Sequence, residues 1–143
     1  MEWSYNGEVV LNLPEDCVGF VYIITNTITG RKYIGKKLAK FTKTKVKTVT
    51  LKNGTKKKKK IREKIDSDWR EYFGSSNELL GDIQSLGVEN FKREILHYCK
   101  SKAESSYMEA KLQFQYGVLE SDDWYNGNIM CRIHKSHIKN KLT

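Results

Sequence analysis

Alternating and continuous apolar patterns predict three strands in the first hundred residues. The run VYIIT, residues 21–25, is β-branched and aromatic with no acid or proline, which is typical of a buried strand. The turn residues Asn26 and Gly30 return the chain into RKYIGKK, so these two segments predict an antiparallel hairpin. A third strand is predicted at FKREILHYC, residues 91–99, where apolar and charged positions alternate.

Capping signals and helical spacing predict the accompanying helices. Ser75 or Ser76 begins one helix, and Gly87 ends it. Ser101 and Glu104 form a capping box that opens a longer helix, from Lys102 to about Gly117. The positions expected to face the sheet are Ala103, Tyr107, Ala110, Leu112 and Phe114. The order of elements predicts an α+β fold, a small three-stranded antiparallel sheet flanked by helices.

A lysine-rich insert separates the hairpin from the helices. Within residues 36–64, the segment 45–50 alternates between two sets of positions and is followed by Asn53 and Gly54, a dipeptide that favours a tight turn. This pattern predicts an exposed basic β-hairpin. The predicted organisation is an N-terminal extension over residues 1–18, one domain over 19–130 that contains this insert, and a basic tail over 131–143.

The charge of the chain is concentrated in this insert. It holds 14 of the 26 Lys and Arg residues and one of the 17 acids, Glu63, so its net charge is +13. The remaining 12 basic and 16 acidic residues give −4, which accounts for the total of +9. A block of like charge repels itself and is stabilised by a polyanion that exchanges counterions for lysines. Nucleic acid is the leading partner, and a solvated tract without a ligand is the alternative.

Other compositional features exclude several classes of protein. The chain has no run of 18 apolar residues and no signal peptide at its start, which predicts a soluble intracellular protein. Cys17, Cys99 and Cys131 are odd in number and far apart, which argues against a disulfide framework and against a zinc site. His134 and His137 lie in the basic tail without a spaced partner, and His97 lies on a predicted strand, so we expect no metal or nucleophilic role for them.

The first of the two predicted hairpins resembles the paired motif of the GIY-YIG nuclease family. FVY and YIG are separated by ten residues, and Tyr22 and Tyr33 match the two tyrosines of the family. Phe20 stands where the family usually has glycine, and Gly19 lies one place early. NFKREIL resembles the third strand of the family. The series GRKYIGKK, basic insert, DWREYFGSS, NFKREIL and YNG is similar to small bacteriophage members described as homing-endonuclease-like.

The resemblance implies a metal-dependent DNA endonuclease. It implies catalytic roles for Tyr22 and Tyr33 and a Mg²⁺ (or Mn²⁺) ligand at Glu109. It also implies that Asn126 orients the groups around the catalytic residues or forms a turn. The residues support part of this chemistry. Tyr22 and Tyr33 lie on adjacent antiparallel strands and can meet on one face, where one phenol can relay a proton from water if its pKa is lowered. Glu109 lies in a helix expected to pack on the sheet, where an unpaired carboxylate is costly, so metal binding explains its position.

The cation that stabilises the phosphate is left open by the sequence. The family places an arginine on the first helix after YIG, and here the insert displaces that helix. Arg70, on a predicted short helix with Trp69 and Tyr72, is the first choice, Arg62 is a second, and Lys37 is the alternative.

The substrate expected from the basic insert is double-stranded DNA, with no membrane partner and with a dimer on DNA as one arrangement. If the chain is a phage protein, it would act in the cytoplasm of the bacterial host. The alternative is a non-catalytic DNA- or RNA-binding module that uses the same lysines. The residues expected to contact DNA are Lys36, Lys40, Lys43, Lys45, Lys47, Lys56, Lys57, Lys58, Lys59, Lys60 and Arg62.

Overall fold

The computed structural model describes residues 2–139, so the last four positions of the expected basic tail lie outside the described residues. Seven strands, three helices and short connecting turns make up this part of the chain. The strands are β1 (Trp3–Tyr5), β2 (Glu8–Val9), β3 (Gly19–Asn26), β4 (Lys32–Leu38), β5 (Lys40–Thr50), β6 (Lys56–Asp66) and β7 (Phe91–Cys99). The helices are α1 (Asn77–Leu86), α2 (Lys102–Tyr116) and α3 (Lys135–Ile138), with 3-10 turns at Trp69–Glu71 and Val88–Asn90.

The central sheet confirms the predicted α+β class. Strands β3 and β4 form the expected antiparallel hairpin, and β7 pairs antiparallel with the other side of β3. The Asn26 side chain accepts hydrogen bonds from the backbone N–H groups of Ile28 and Thr29, and Gly30 adopts φ +80°, which together form the turn. Strand β4 is the last strand on its side of the sheet, so one of its edges is open to other segments.

The sheet has five strands, which corrects the expected three. Strand β1 pairs in parallel with β7, and β2 pairs antiparallel with β1. Trp3 is buried, and its Nε1 donates a hydrogen bond of 2.7 Å to the carbonyl of Trp69. Its ring contacts Phe20 and Tyr22 edge-to-face at centroid distances of 5.2 and 5.4 Å. Part of the predicted N-terminal extension therefore belongs to the sheet and to the core.

Each face of the sheet carries its own apolar cluster, because side chains alternate along each strand. One face packs Trp3, Phe20, Tyr22 and Ile24 against Trp69 and helix α1. The other face packs against α2 and includes Val21, Ile23, Ile34, Cys99 and Val118. Neighbouring positions of β3 and β4 consequently point to opposite sides of the domain.

Helix α2 follows its predicted capping and part of its predicted buried face: Ala110 is buried as expected, whereas Phe114 is not. Ser101 accepts a hydrogen bond of 3.0 Å from the N–H of Glu104, and Gly117 ends the helix in the left-handed conformation at φ +64°. Phe114, expected to face the sheet, is 69% exposed. The buried positions include the polar Glu104 and Gln113 instead. Buried polar side chains need partners, so this helix contributes bonds as well as apolar contact.

The basic insert forms a two-stranded ribbon that confirms the predicted hairpin. Strands β5 and β6 pair only with each other, in register from Lys40 opposite Asp66 to Thr50 opposite Lys56. Every residue of both strands is exposed except the half-buried Val49. Eleven residues per strand correspond to a length of roughly 36 Å. The ribbon therefore extends from the domain as a separate arm. Within residues 2–139, no helix has the length and apolar character needed to cross a bilayer.

Candidate active site

The two tyrosines of the hairpin lie on the same face of the sheet. Tyr22 on β3 is directly opposite Gly35 on β4, and Tyr33 lies two residues before Gly35. Their ring centroids are 6.2 Å apart, with the ring planes tilted by 40°. Diagonal neighbours on adjacent strands are within reach of aromatic side chains. The strand register thus brings the two rings together.

Two glycines leave the space that the phenols occupy. A Cβ atom at Gly35 would lie 2.5 Å from the phenol oxygen of Tyr22 and 2.9 Å from Cε1 of Tyr33. Gly74 adopts φ +91°, which side chains rarely accept, and a Cβ atom there would lie 3.4 Å from each of the same two rings. The loop before α1 can therefore close directly over the tyrosine pair.

The two phenols have different surroundings. Tyr22 is 1% exposed, and burial, followed by the neighbouring Tyr72 and Tyr33, raises its pKa well above the ordinary value. Tyr33 is half-buried, and its Oη lies 3.1 Å from Oγ of Ser75. Burial also raises the pKa of Tyr33, with the Ser75 hydrogen bond acting in the opposite direction. Both phenols are protonated at neutral pH, so the lowered pKa that a tyrosine base requires is not provided by these surroundings.

Glu109 reaches the open edge of β4 from the other side of the sheet. It lies in the middle of α2, is half-buried, and its carboxylate accepts a hydrogen bond from the backbone N–H of Lys36. Burial raises the pKa of Glu109, while the Lys36 ammonium and this N–H both act to lower it. The carboxylate also raises the pKa of Tyr22 and Tyr33, so its charge acts on both phenols.

A ladder of hydrogen bonds along the open edge of β4 fixes the segment that follows α2. The N–H of Lys32 donates to the carbonyl of Asp123, and the N–H of Tyr125 donates to the carbonyl of Lys32. Two residues further, Asn126 accepts from the N–H of Ile34 at 3.1 Å and donates to its carbonyl at 2.8 Å. The carboxylate of Glu109 satisfies the next outward amide. The open edge of β4 is thus completed by backbone groups of Asp123 and Tyr125 and by the side chains of Asn126 and Glu109.

These contacts form a cleft of about 130 Å³ at the edge of the sheet. Tyr33 and Glu109 both line it, together with Gln113, Asn126, Gly127, Asn128 and Met130. The Gln113 side chain donates from Nε2 to the carbonyl of Ile34 at 2.9 Å, and its buried Oε1 has no hydrogen-bond partner. Sequence reasoning missed Gln113, although it follows Glu109 by one helical turn and so lies on the same side of α2.

The structure does not bring the expected arginine to this cleft. Arg70 donates to Asn12 Oδ1 at 3.0 Å and to the carbonyl of Leu11, and its guanidinium lies over the ring of Trp69. Arg62 is exposed on the ribbon. None of the arginines among residues 2–139 lines the cleft. The first choice of Arg70 is therefore corrected, because the 3-10 turn directs its side chain toward residues 11 and 12.

Two lysines lie on either side of the β4 edge. Lys36 Nζ donates to Ser106 Oγ at 2.7 Å, on the α2 face, and its ammonium acts on the Glu109 carboxylate. Lys37 Nζ lies 2.6 Å from an Asp68 oxygen and 4.1 Å from the centre of the Tyr72 ring, on the opposite face. Of these two lysines, Lys36 is the one whose charge acts on the carboxylate. The other lysines expected to contact DNA all lie in the ribbon, of which Lys40 is the first residue.

A separate group of potential metal ligands forms at the first turn of α2. The ligand atoms of His97, Cys99 and Glu104 lie within 4.8 Å of one another, although their spacing in sequence gave no indication of it. The Glu104 carboxylate accepts from the N–H of Lys100 at 2.9 Å and lies 2.8 Å from Nε2 of His97. Burial raises the pKa of Cys99 to about 12, so its thiol is protonated. These bonds account for the buried carboxylate by helix capping.

A hairpin with a tyrosine on each strand, followed by a third antiparallel strand and a carboxylate-bearing helix, defines the GIY-YIG class of nuclease domain. The family model described as "Putative endonuclease segE, GIY-YIG domain" matches residues 3–129. The chain therefore belongs to this family of endonuclease domains. Searches of curated proteins and of solved structures gave no significant match.

Proposed function

We propose that the protein is a Mg²⁺-dependent DNA endonuclease that hydrolyses phosphodiester bonds in the cleft at the edge of β4. The observation that carries this proposal is the convergence of Tyr33, Glu109 and Gln113 in the lining of one cleft. Three elements of the fold meet there: a sheet edge, the middle of a helix, and the segment after that helix. Membership of a family of endonuclease domains supports the same conclusion.

The donor atoms of the cleft suit Mg²⁺ or Mn²⁺. The carboxylate of Glu109 and the amide oxygen of Gln113 are hard oxygen ligands, and both residues line the cleft. A buried carbonyl oxygen without a partner costs free energy, which a bound ion or its water would recover. When bound, such an ion lowers the pKa of its water and polarises the phosphate.

Side chains of the protein position the attacking water and the phosphate, and a lysine supplies positive charge. Tyr33, protonated at neutral pH, donates a hydrogen bond to the attacking water or to a phosphate oxygen, and Ser75 holds its Oη from behind. Lys36 would place a positive charge near the phosphate, and its ammonium acts to lower the pKa of Glu109, which burial raises. Tyr22 and Asn126 position the others, Tyr22 from within the core and Asn126 by fixing the edge of β4 at Ile34.

The ribbon supplies the contacts with the DNA backbone. Lysines along both of its faces neutralise phosphates and release counterions, which gives affinity without sequence information. A single cleft cuts one strand at a time, so cleavage of both strands needs a second copy on the DNA or a second event. A role in homing or in processing phage DNA rests on the resemblance of the sequence motifs alone.

The proposal is tested by cleavage of supercoiled plasmid. Wild type should convert it to nicked or linear DNA with Mg²⁺ and not with EDTA, and Glu109→Gln should lower this rate by at least about 10²-fold. Glu120→Gln is the matched control, because Glu120 is an exposed carboxylate just beyond the end of the same helix. Equal nicking by wild type and Glu109→Gln would refute the role of the carboxylate.

A second candidate function is a DNA- or RNA-binding module without nuclease activity. The observation that favours it is that no arginine among the described residues lines the cleft, while both phenols have raised pKa values. Under this alternative, wild type binds nucleic acid with a steep salt dependence and never cuts it. Replacing Lys56 to Lys60 by serine should then weaken binding, and comparing duplex DNA with RNA identifies the partner.

A further inference from the structure

A second and larger cleft lies beside the candidate active site, at the base of the ribbon. Its volume is about 400 Å³. It opens between the end of β4, the first turns of α2 and the 3-10 turn region before α1. It is lined by Lys36, Lys37, Leu38, Phe41, Tyr72, Lys102, Ser105 and Ser106.

Positive charge dominates this cleft. Three of its eight lining residues are lysines, and no carboxylate is among them. Lys37 is paired with Asp68, but the Asp68 side chain is 63% exposed and lies outside the lining. Lys102 is the first residue of α2, where a cation is electrostatically unfavourable because the backbone N–H groups of a helix start already carry partial positive charge. An anion in the cleft would offset this repulsion at Lys102 and would be attracted by Lys36 and Lys37.

Two of the lysines in the cleft are held in place by neighbouring side chains. The Lys37 side chain is only 11% exposed, and its Nζ lies 4.1 Å from the centre of the Tyr72 ring and 5.0 Å from that of Phe41. The ammonium is therefore fixed between two aromatic rings. Lys36 is fixed as well, by its bond to Ser106. Little side-chain entropy remains to be lost when these groups bind an anion.

Lys36 connects this cleft with the candidate active site. Its backbone N–H donates to Glu109, which lines the active-site cleft, while its Nζ bonds to Ser106 on the wall of the larger cleft. Ser106 and Glu109 are three residues apart on α2, roughly 4.5 Å along the helix axis. A strand that crosses α2 from Glu109 toward Ser106 would bring a neighbouring phosphate to Lys36 and Lys102.

We propose that this cleft binds a backbone phosphate of the cleaved strand, one or two nucleotides from the scissile bond, and so sets the register of that strand. This inference rests on the proposed function of the neighbouring site. The path from the active-site cleft, past Lys102 and Phe41, leads to the base of the ribbon. The same strand would continue onto the ribbon lysines.

The test is binding of a short duplex in the Glu109→Gln background, where cleavage does not interfere. Lys102→Gln should reduce the slope of log affinity against log salt by about 0.9, the value for one lost phosphate contact. Lys111→Gln is the matched control, since Lys111 is exposed on the same helix and outside the cleft. The slope for Lys111→Gln should match that of the Glu109→Gln parent.

Neutral methylphosphonate linkages, placed one at a time along the strand, then locate the phosphate. One position should weaken binding by the parent about tenfold and should have no further effect on Lys102→Gln. Additive losses at every position, or an unchanged slope for Lys102→Gln, would overturn the inference. Cleavage is not measured here, so the cleft can be supported when plasmid nicking fails, or rejected when plasmid nicking succeeds.

Discussion

The phenol oxygen of Tyr22 occupies the space that a side chain at position 35 would fill. Tyr22 lies opposite Gly35 in the strand register, and a Cβ atom at Gly35 would be only 2.5 Å from that oxygen. The same atom would be 2.9 Å from the ring of Tyr33. The glycine of the YIG motif is thus required for the packing of both tyrosines, a physical reason that the motif alone does not give.

Gly35→Ala is expected to lower cleavage by about 10²-fold, because a displacement of about 1 Å at a reacting group has that effect. The overpacked core should lose about 1–3 kcal/mol of unfolding free energy. Gly81→Ala is the control: a Cβ atom there meets nothing within 4 Å, and alanine favours the helix. Normal activity in folded Gly35→Ala would contradict the packing argument. Plasmid cleavage and urea denaturation measure the two effects.

Tyr33→Phe and Tyr22→Phe should have different effects. Tyr33 lines the cleft, so removal of its hydroxyl should lower the cleavage rate by about 10²-fold with little change in stability. Tyr22 is buried and bonded to Tyr72, so removal of its hydroxyl should cost about 1 kcal/mol and change the rate by less than tenfold. Single-turnover cleavage and thermal unfolding of both variants check this. A larger rate loss for Tyr22→Phe would reverse the assigned roles.

Glu109→Gln should stabilise the metal-free protein at neutral pH. Burial raises the pKa of Glu109 in the folded state, so its ionisation favours unfolding. Below the unfolded-state pKa of about 4.3, the Glu109 carboxyl is protonated in both states and its burial carries no charge penalty. As the pH rises above that value and through the folded-state pKa, the unfolding free energy of wild type decreases. The advantage of the glutamine variant should therefore appear at neutral pH and vanish in acid, as measured by thermal unfolding across pH. Added Mg²⁺ should stabilise wild type alone. A more stable wild type at neutral pH without metal would contradict this.

Lys36→Met should shift the acidic limb of the pH–rate profile to higher pH. The Lys36 ammonium lowers the pKa of Glu109, so its removal raises that pKa and the carboxylate ionises later. Lys111→Met, an exposed lysine on the same helix, serves as the control and should leave the limb unchanged. The profile of kcat/KM against pH measures the shift. A limb that moves to lower pH would exclude this electrostatic coupling.

Elements with complete local signals were predictable from the sequence. The β3–β4 hairpin carries its own turn residues, α1 and α2 carry their own caps, and the ribbon pivots on Asn53 and Gly54. Strand β1 was missed because it has three residues and pairs with β7, some ninety positions away. A three-residue segment carries no sequence signal that identifies such a distant partner. The burial of Trp3 could not be predicted for the same reason.

The site was less predictable, because it depends on where side chains point. Glu109 and Tyr33 could be named from the resemblance, and their meeting at a shared cleft needed the β4 edge and α2 to be packed together. Arg70 was misplaced because a 3-10 turn, unlike a full helix, directs it toward Asn12. Gln113 gave no signal beyond its spacing, since a glutamine in a helix is usually solvated.

The location of the metal tests the central claim most directly. Crystals of the protein with a short duplex and Mn²⁺ would show the ion by its anomalous scattering. A peak roughly 2.1 Å from a carboxylate oxygen of Glu109, with Tyr33 beside the bound phosphate, is the expected result. A peak only at the His97, Cys99 and Glu104 group, or none at Glu109 with DNA bound, would contradict the proposed hydrolytic centre.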